Sequence, residues 1–206
     1  GVATLDGRSA AGTTGGTAAA VGDSPSRVSA IALAAGADGT GYLFGEILPV
    51  SLGGQVFIDI NDNGVQNAPG DTGIAGVTLV VTGTDDTGAA VSRTVTTAAD
   101  GSYALSDLRP GTYTVTEPTQ PAGTTNGQTM AGSAGSTATS PATTPSAVSG
   151  IVLTTPGASS AGNNLAEVPN TSVIDGRVWL DLNNNGLIDG AETGIAGVTV
   201  ELSATL

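Results

Sequence analysis

Two stretches of this 206-residue sequence carry oxygen-bearing side chains at spacings that suit a hard cation. In residues 181–192, Asp181, Asn183, Asn185, Asp189 and Glu192 take positions one, three, five, nine and twelve, with Gly186 at position six. Twelve-residue calcium loops use this spacing: position seven, here Leu187, offers its backbone carbonyl, and position twelve closes the site with a bidentate carboxylate. The glycine is needed because the chain must turn through left-handed backbone to bring both halves of the loop around one ion. Residues 59–71 repeat the pattern with Asp59, Asn61, Asn63, the Val65 carbonyl and Asn67, and with Gly64 at the turn. Their acid arrives one position late, as Asp71, so we expect the same site with a weaker or rearranged closure and rank 181–192 as the better-formed copy.

Neutral amide oxygens in a flexible loop favour Ca2+ over Mg2+, which demands tight octahedral geometry. Transition metals want nitrogen or sulfur ligands, and the sequence has no His and no Cys. The same absences exclude a Ser-His-Asp triad and a thiol nucleophile. There is no Lys either, the cations being Arg8, Arg27, Arg93, Arg109 and Arg177, so Schiff-base and Walker-type chemistry are excluded as well. A net charge of -13 repels nucleic acid and anionic headgroups and makes divalent cations the natural partners. No apolar run approaches the roughly 18 residues of a membrane helix, so no membrane insertion is expected of this segment. Residue Gly1 is not followed by a signal sequence, and we read the chain as an internal or processed piece.

The elements that position the loops are strands. Val56 and Phe57 lead into the first loop and Val178 and Trp179 into the second, while an identical Gly-Ile-Ala-Gly-Val-Thr string leads out at 73–78 and 194–199. These flanks exclude a helical EF-hand. They also reveal a repeat: 54–64 matches 176–186 at an offset of 122, and 29–33 and 41–46 match 149–153 and 162–167 at offsets of 120 and 121. We therefore divide the chain into the C-terminal part of one repeat (1–49), one complete repeat (52–168) and the N-terminal part of the next (173–206).

Within the complete repeat, alternating or β-branched runs at 54–60, 76–82, 89–97, 102–106, 111–117, 149–154 and 162–168 predict about seven strands and almost no helix. Aromatics are only 3% and charged residues 11% of the chain, a balance leaning towards strands and turns. The fold class expected is all-β, tandem Ig-like sandwiches. Residues 118–149 are rich in Thr, Ser, Ala, Gly and Pro and predict a long meandering loop. The joints at 48–53 and 169–175 are short and each contains a Pro, favouring a semi-rigid rod.

Other candidates weigh less. Asp85, Asp86 and Asp100 could form a second cation site, but their Asp-Asp-Thr-Gly and Ala-Asp-Gly-Ser settings read as ordinary turns. Glu46 and Glu167 end the last strands of their repeats and read as solvated charges. Asn170-Thr171-Ser172 fits an N-glycosylation acceptor, a three-residue match that chance also supplies. Phe44, Phe57, Tyr103, Tyr113 and Trp179 read as core anchors.

The loop at 181–192, the Gly-Ile-Ala-Gly-Val exits and the hairpin sequence at 100–117 resemble the B-type repeat modules of Gram-positive serine-aspartate-repeat adhesins and the related collagen-adhesin B-type domains. The resemblance implies a calcium- or isopeptide-stabilised sandwich of a bacterial surface stalk or fibre. Glu117 sits where the family's isopeptide-promoting acid would, but without Lys neither that bond nor lysine-based sortase polymerisation can form. Calcium is left as the main staple. The resulting expectation is a non-catalytic structural module, extracellular or at the cell surface, whose partners are adjacent repeats of the same chain or neighbouring identical subunits in a fibre. The alternatives are the ligand-binding region of an adhesin and an accessory sandwich of a secreted hydrolase.

Overall fold

The computed structural model describes residues 3–67, 69–141, 143–170 and 175–203. The chain divides into two compact units, Gly1–Asn170 and Thr171–Leu206. In chain order the first contains β1 (Leu5–Ala10), β2 (Thr17–Ala18), β3 (Val28–Ser29), β4 (Leu43–Ile47), β5 (Val50–Ile58), β6 (Thr78–Asp85), β7 (Ala90–Thr96) and β8 (Ser102–Leu108). It continues with β9 (Gly111–Glu117), β10 (Thr124–Met130), β11 (Thr137–Ala138), β12 (Ser146–Leu153), β13 (Ser159–Ser160) and β14 (Asn164–Pro169). No helix occurs among the described residues.

Strands β5 to β14 form a sandwich. One sheet runs β10-β14-β5-β13 with β8 also on β5, and the other runs β11-β12-β9-β6-β7. Alternation along the strands puts Val50, Leu52 and Val56 of β5 against Leu79 and Val81 of β6, Tyr113 and Val115 of β9, and Val148, Ile151 and Leu153 of β12. These side chains are branched or aromatic, as a two-layer core of short strands requires. Most pairings are antiparallel, but β14 lies parallel to β5, with Leu165 opposite Val56 and Glu167 opposite Ile58. The end of β14 therefore reaches the same pole as the loop that follows β5.

Three sequence expectations change here. The stretch 118–149 is not one loop: it holds β10, β11 and the start of β12. Polar Thr124, Asn126 and Thr129, with Gly127, are the buried residues of β10, so its inward face carries no apolar signal. The first joint is shorter than expected, because β5 already begins at Val50. Phe57, Tyr103 and Tyr113 are core residues, but Phe44 is 51% exposed and Trp179 half-buried. The joint at 169–175 and the Asn170-Thr171-Ser172 site fall largely on 171–174, outside the described residues.

The N-terminal segment repeats the end of the sandwich in detail. Strand β1 pairs with β4 through Leu5 to Ile47 and Asp6 to Glu46, shifts register, and resumes with Ser9 to Phe44 and Ala10 to Leu43. Strand β10 pairs with β14 in the same way, through Thr125 to Val168 and Asn126 to Glu167, then Thr129 to Leu165 and Met130 to Asn164. Phe44 thus stands where Leu165, 0% exposed, stands in the sandwich. Leu33 and Ile31, which correspond to the buried Leu153 and Ile151, are likewise exposed.

In the second unit, Trp179 bridges Gly194, and the apolar Val198, Val200 and Leu202 that follow are exposed.

Candidate metal centre

Both loops are closed at the neck by the same backbone bonds. Phe57 bridges Gly73 as Trp179 bridges Gly194. Ile58 N donates to Thr72 O at 2.8 Å and Ile74 N to Val56 O at 2.9 Å; Leu180 N to Thr193 O and Ile195 N to Val178 O, both 2.9 Å, reproduce the pair. The Gly-Ile-Ala-Gly exits therefore zip onto the strand entries and leave the intervening residues as a compact lobe.

Inside the lobe the first acid of each copy holds the turn. Gly64 N donates to Asp59 Oδ2 at 2.6 Å, and Gly186 N to Asp181 Oδ2 at 2.8 Å. Val65 N donates to Asn63 Oδ1 and Leu187 N to Asn185 Oδ1, each at 2.8 Å. Gly64 and Gly186 have φ of 76° and 74°, and Asp62 and Asn184, at 52° and 57°, make a second left-handed step two residues earlier. Asp and Asn tolerate that region better than other residues with a Cβ.

The closing acids are also equivalent. Asp71 accepts from Ile60 N and Asn67 N, both at 3.0 Å, one on each carboxylate oxygen. Glu192 accepts from Leu182 N at 2.9 Å and Asp189 N at 3.1 Å in the same manner. The extra residue of the first copy lies between Asn67 and Asp71, and the shorter Asp side chain bonds the same two amides from one position later. Those two amides hold Asp71 below its ordinary carboxylate range, the Asn67 bond most strongly, and the Gly186 amide does the same for Asp181.

The copies differ in their surroundings. Asp59 is 0% exposed, its Oδ1 has no hydrogen-bond partner, and its backbone N donates to Glu167 O at 2.8 Å. Strand β10 covers the same lobe: a Cβ added at Gly64 would meet Met130 Sδ at 2.7 Å, and one added at Gly127 would meet Asp62 Oδ1 at 2.8 Å. Asp181 is half-buried, and its Oδ1 accepts from Asn185 N at 3.2 Å. The amides of Asn183 and Asn185 turn towards Asp189, the latter at 2.8 Å from Oδ2. The first copy has the neutral Asn67 at that place. Among the described residues no three acidic side chains converge. Neither loop is a carboxylate cage, and other oxygens would have to come from Asn amides and carbonyls.

Next to the first loop lies a feature the sequence reading missed. Glu167, expected at a solvated strand end, is 0% exposed, whereas Glu46 at the matching place is exposed. Gln120 Nε2 and Thr124 Oγ1 donate to Glu167 Oε2, Ser146 Oγ donates to Glu117 Oε2 at 3.0 Å, and Oε1 of each acid has no partner. Two buried carboxyls near one another resist ionising together, because burial and like charge both disfavour the second negative charge. Burial first, and then the Glu117 charge, push Glu167 up to about 9; burial pushes Glu117 up as well. No local signal marks the pair, because Glu117 of β9 and Glu167 of β14 belong to different sheets and meet only when the two sheets pack.

Asp85 and Asp100 act as turn caps, accepting from Thr87 N at 2.9 Å and Ser102 N at 3.0 Å. Asp86 is held by Arg109, with Nε to Oδ1 at 2.7 Å.

Fold and loops together define an all-β, Ig-like module with a duplicated, amide-braced acidic loop. Residues 50–163, more than half of the chain, match the family model of the SdrD B-like domain, and the chain belongs to this family. It is 36% identical over 152 residues to serine-aspartate repeat-containing protein D of Staphylococcus aureus (strain Newman), covering 74% of this chain and 11% of that protein. It is 35% identical over 158 residues to serine-aspartate repeat-containing protein E of Staphylococcus aureus (strain MSSA476), covering 74% of this chain and 12% of that protein. The chain spans about a tenth of the length of these relatives.

Proposed function

We propose that the chain is a non-catalytic structural segment of a bacterial surface stalk, built from tandem sandwiches that calcium stiffens. The observation that carries this reading is the fully buried Asp59, whose Oδ1 has no partner at the centre of a loop braced by the backbone amides of Ile60, Gly64, Val65 and Asn67. A buried carboxylate oxygen left without a partner costs stability, and a divalent cation removes that cost. Asp59, Asn61, Asn63, the Val65 carbonyl, Asn67 and Asp71 would hold Ca2+ in the first loop. Asp181, Asn183, Asn185, the Leu187 carbonyl, Asp189 and Glu192 would do so in the second. The oxygens of Asp71 and Glu192 that accept amides each retain a second lone pair for a cation.

Calcium supplies charge neutralisation: the acids of each loop otherwise repel one another in a chain of net charge -13. The first loop follows β5 at the pole where β14 ends, so ordering it also orders the exit of the sandwich. Membership of the SdrD B-like family and likeness to serine-aspartate repeat-containing proteins support a surface location and a load-bearing rather than catalytic role. The matched pairings of β1 with β4 and of β10 with β14 support the tandem reading.

The test is thermal unfolding with calcium and with a chelator. At free calcium about a hundredfold above the dissociation constant, binding adds roughly 2.7 kcal/mol, or on the order of 10 °C for a domain of this size. Melting temperature and protease resistance that do not respond to the chelator would refute the proposal.

A further inference from the structure

We propose that Arg109 is a brace that fixes the N-terminal segment at 5–47 against the sandwich that follows it, so that the joint at Leu48 and Pro49 is rigid without a bound cation. The covalent link is only these two residues, which limits reach but leaves the angle free. What sets the angle is a built contact. Arg109 lies in the turn between β8 and β9, where Tyr113 Oη donates to its carbonyl at 2.5 Å and Asp86 N donates to Pro110 O at 2.7 Å. With its backbone held from both sides, its guanidinium forks onto Asp86, Nε to Oδ1 at 2.7 Å and Nη2 to Oδ2 at 3.1 Å. The remaining nitrogen, Nη1, crosses the joint and donates to the Asp6 carbonyl at 2.9 Å.

The segment on the other side is shaped to receive it. Asp6 accepts from Ser26 N at 3.3 Å and Ser26 Oγ at 2.9 Å, which ties the loop at 20–26 to β1. Gly22 of that loop sits over the brace: its φ is +82°, and an added Cβ would meet Thr87 Cγ2 at 2.9 Å and the guanidinium carbon at 3.5 Å. At the joint itself Leu48 lies against Gly157, where an added Cβ would meet its Cδ1 at 3.3 Å. The Arg109 side chain is 16% exposed and that of Asp86 32%, against 48% and 61% for the surface pair of Arg93 and Asp107. A planar, bidentate, partly desolvated Arg pair is the geometry in which an ion pair orders structure rather than merely decorating it.

Because the brace reads a backbone carbonyl, it does not depend on the side chain at that place. The corresponding residue of the sandwich is Asn126, so a following module bearing the same Arg would find the same acceptor. The partner of this surface is therefore the end of the preceding module. The inference rests on the stalk reading for its use, but its chemistry involves no calcium.

The chain has no Cys, so spin labels can be placed cleanly on the full chain at Asp38→Cys and Thr94→Cys, both exposed, and the distance distribution measured in chelator. A single narrow distribution is expected, broadened about twofold or more by Arg109→Ala, because modules with small interfaces move unless held. Arg93→Ala should leave it narrow. Gly22→Val, which disturbs the contact from the other side and leaves the sandwich core untouched, should broaden it too and decides the matter if Arg109→Ala fails to fold. A broad distribution in the unsubstituted chain, or unchanged width in both Arg109→Ala and Gly22→Val, overturns the brace. A chelator-insensitive melt with a narrow distribution would instead defeat the calcium reading alone.

Discussion

The loops at 59–71 and 181–192 have the same internal hydrogen bonds and different environments. Neck, glycine turn and amide-bonded closing acid recur within about 0.2 Å. Yet Asp59 is buried with one oxygen unpartnered, while Asp181 is half-buried with both oxygens satisfied. A dozen residues suffice to fold the lobe, because its donors and acceptors are all local. Burial of the first acid is not local: it arises in the first copy, where Asp59 lies against the end of β14 and β10 covers the lobe.

That contrast can be broken most sharply with Asp59→Ala and Asp181→Ala. In calcium, Asp59→Ala should destabilise the sandwich by about 4 kcal/mol, combining the lost cation with the unbonded Gly64 amide. Asp181→Ala should leave the melting of the sandwich unchanged while one calcium disappears from a calorimetric titration. Equal effects on melting would mean that burial does not distinguish the loops.

Gly64→Ala and Gly186→Ala probe the same difference through sterics. Both place a Cβ in left-handed backbone, at about 1–2 kcal/mol. Only the first also drives it towards Met130 Sδ, whereas nothing lies within 4 Å of the second. Urea midpoints should fall for both, and further for Gly64→Ala than for Gly186→Ala.

The acid pair behind the first loop adds a pH dependence that the second lacks among its described residues. Glu167 has a folded value, about 9, above its ordinary one. The folded sandwich therefore keeps a proton that the unfolded chain releases. Its contribution to stability is full below the unfolded value near 4.5 and is lost as pH rises through about 9. Glu167→Gln should flatten the melting temperature across this window; a wild-type profile that rises towards pH 9 would contradict the assignment.

The smallest effect expected is that of Asp71→Asn, which keeps one carbonyl acceptor and loses a charge at a half-buried place. It should lower the melting temperature slightly without calcium and more with it. If the calcium-free cost is the larger, the residue acts as a brace alone.

Much of this molecule is legible before any coordinates. The repeat, the two lobes, the strands carrying Val56, Leu79, Val115 and Ile151, and the all-β class follow from periodicity and from glycines at positions only glycine takes readily. Strand β10 escapes because Thr124, Asn126 and Thr129 face inward as polar groups, and what they pair with, strand β14 and the Thr143 carbonyl among others, is not marked by any apolar pattern. For the same reason Glu167 reads as a solvated end and Phe44 as a core anchor, although the structure reverses both.

Sequence by itself determined the conformation of each loop, since the hydrogen bonds inside it join residues at most 11 apart and those of its neck residues at most 18 apart, and it determined which chemistries are absent, since those need side chains the chain does not have. Only the tertiary structure decided which acids lose contact with water and which joint is braced. Burial depends on strands brought together across more than 100 residues, as Arg109 is with Asp6, and no local spacing encodes that approach.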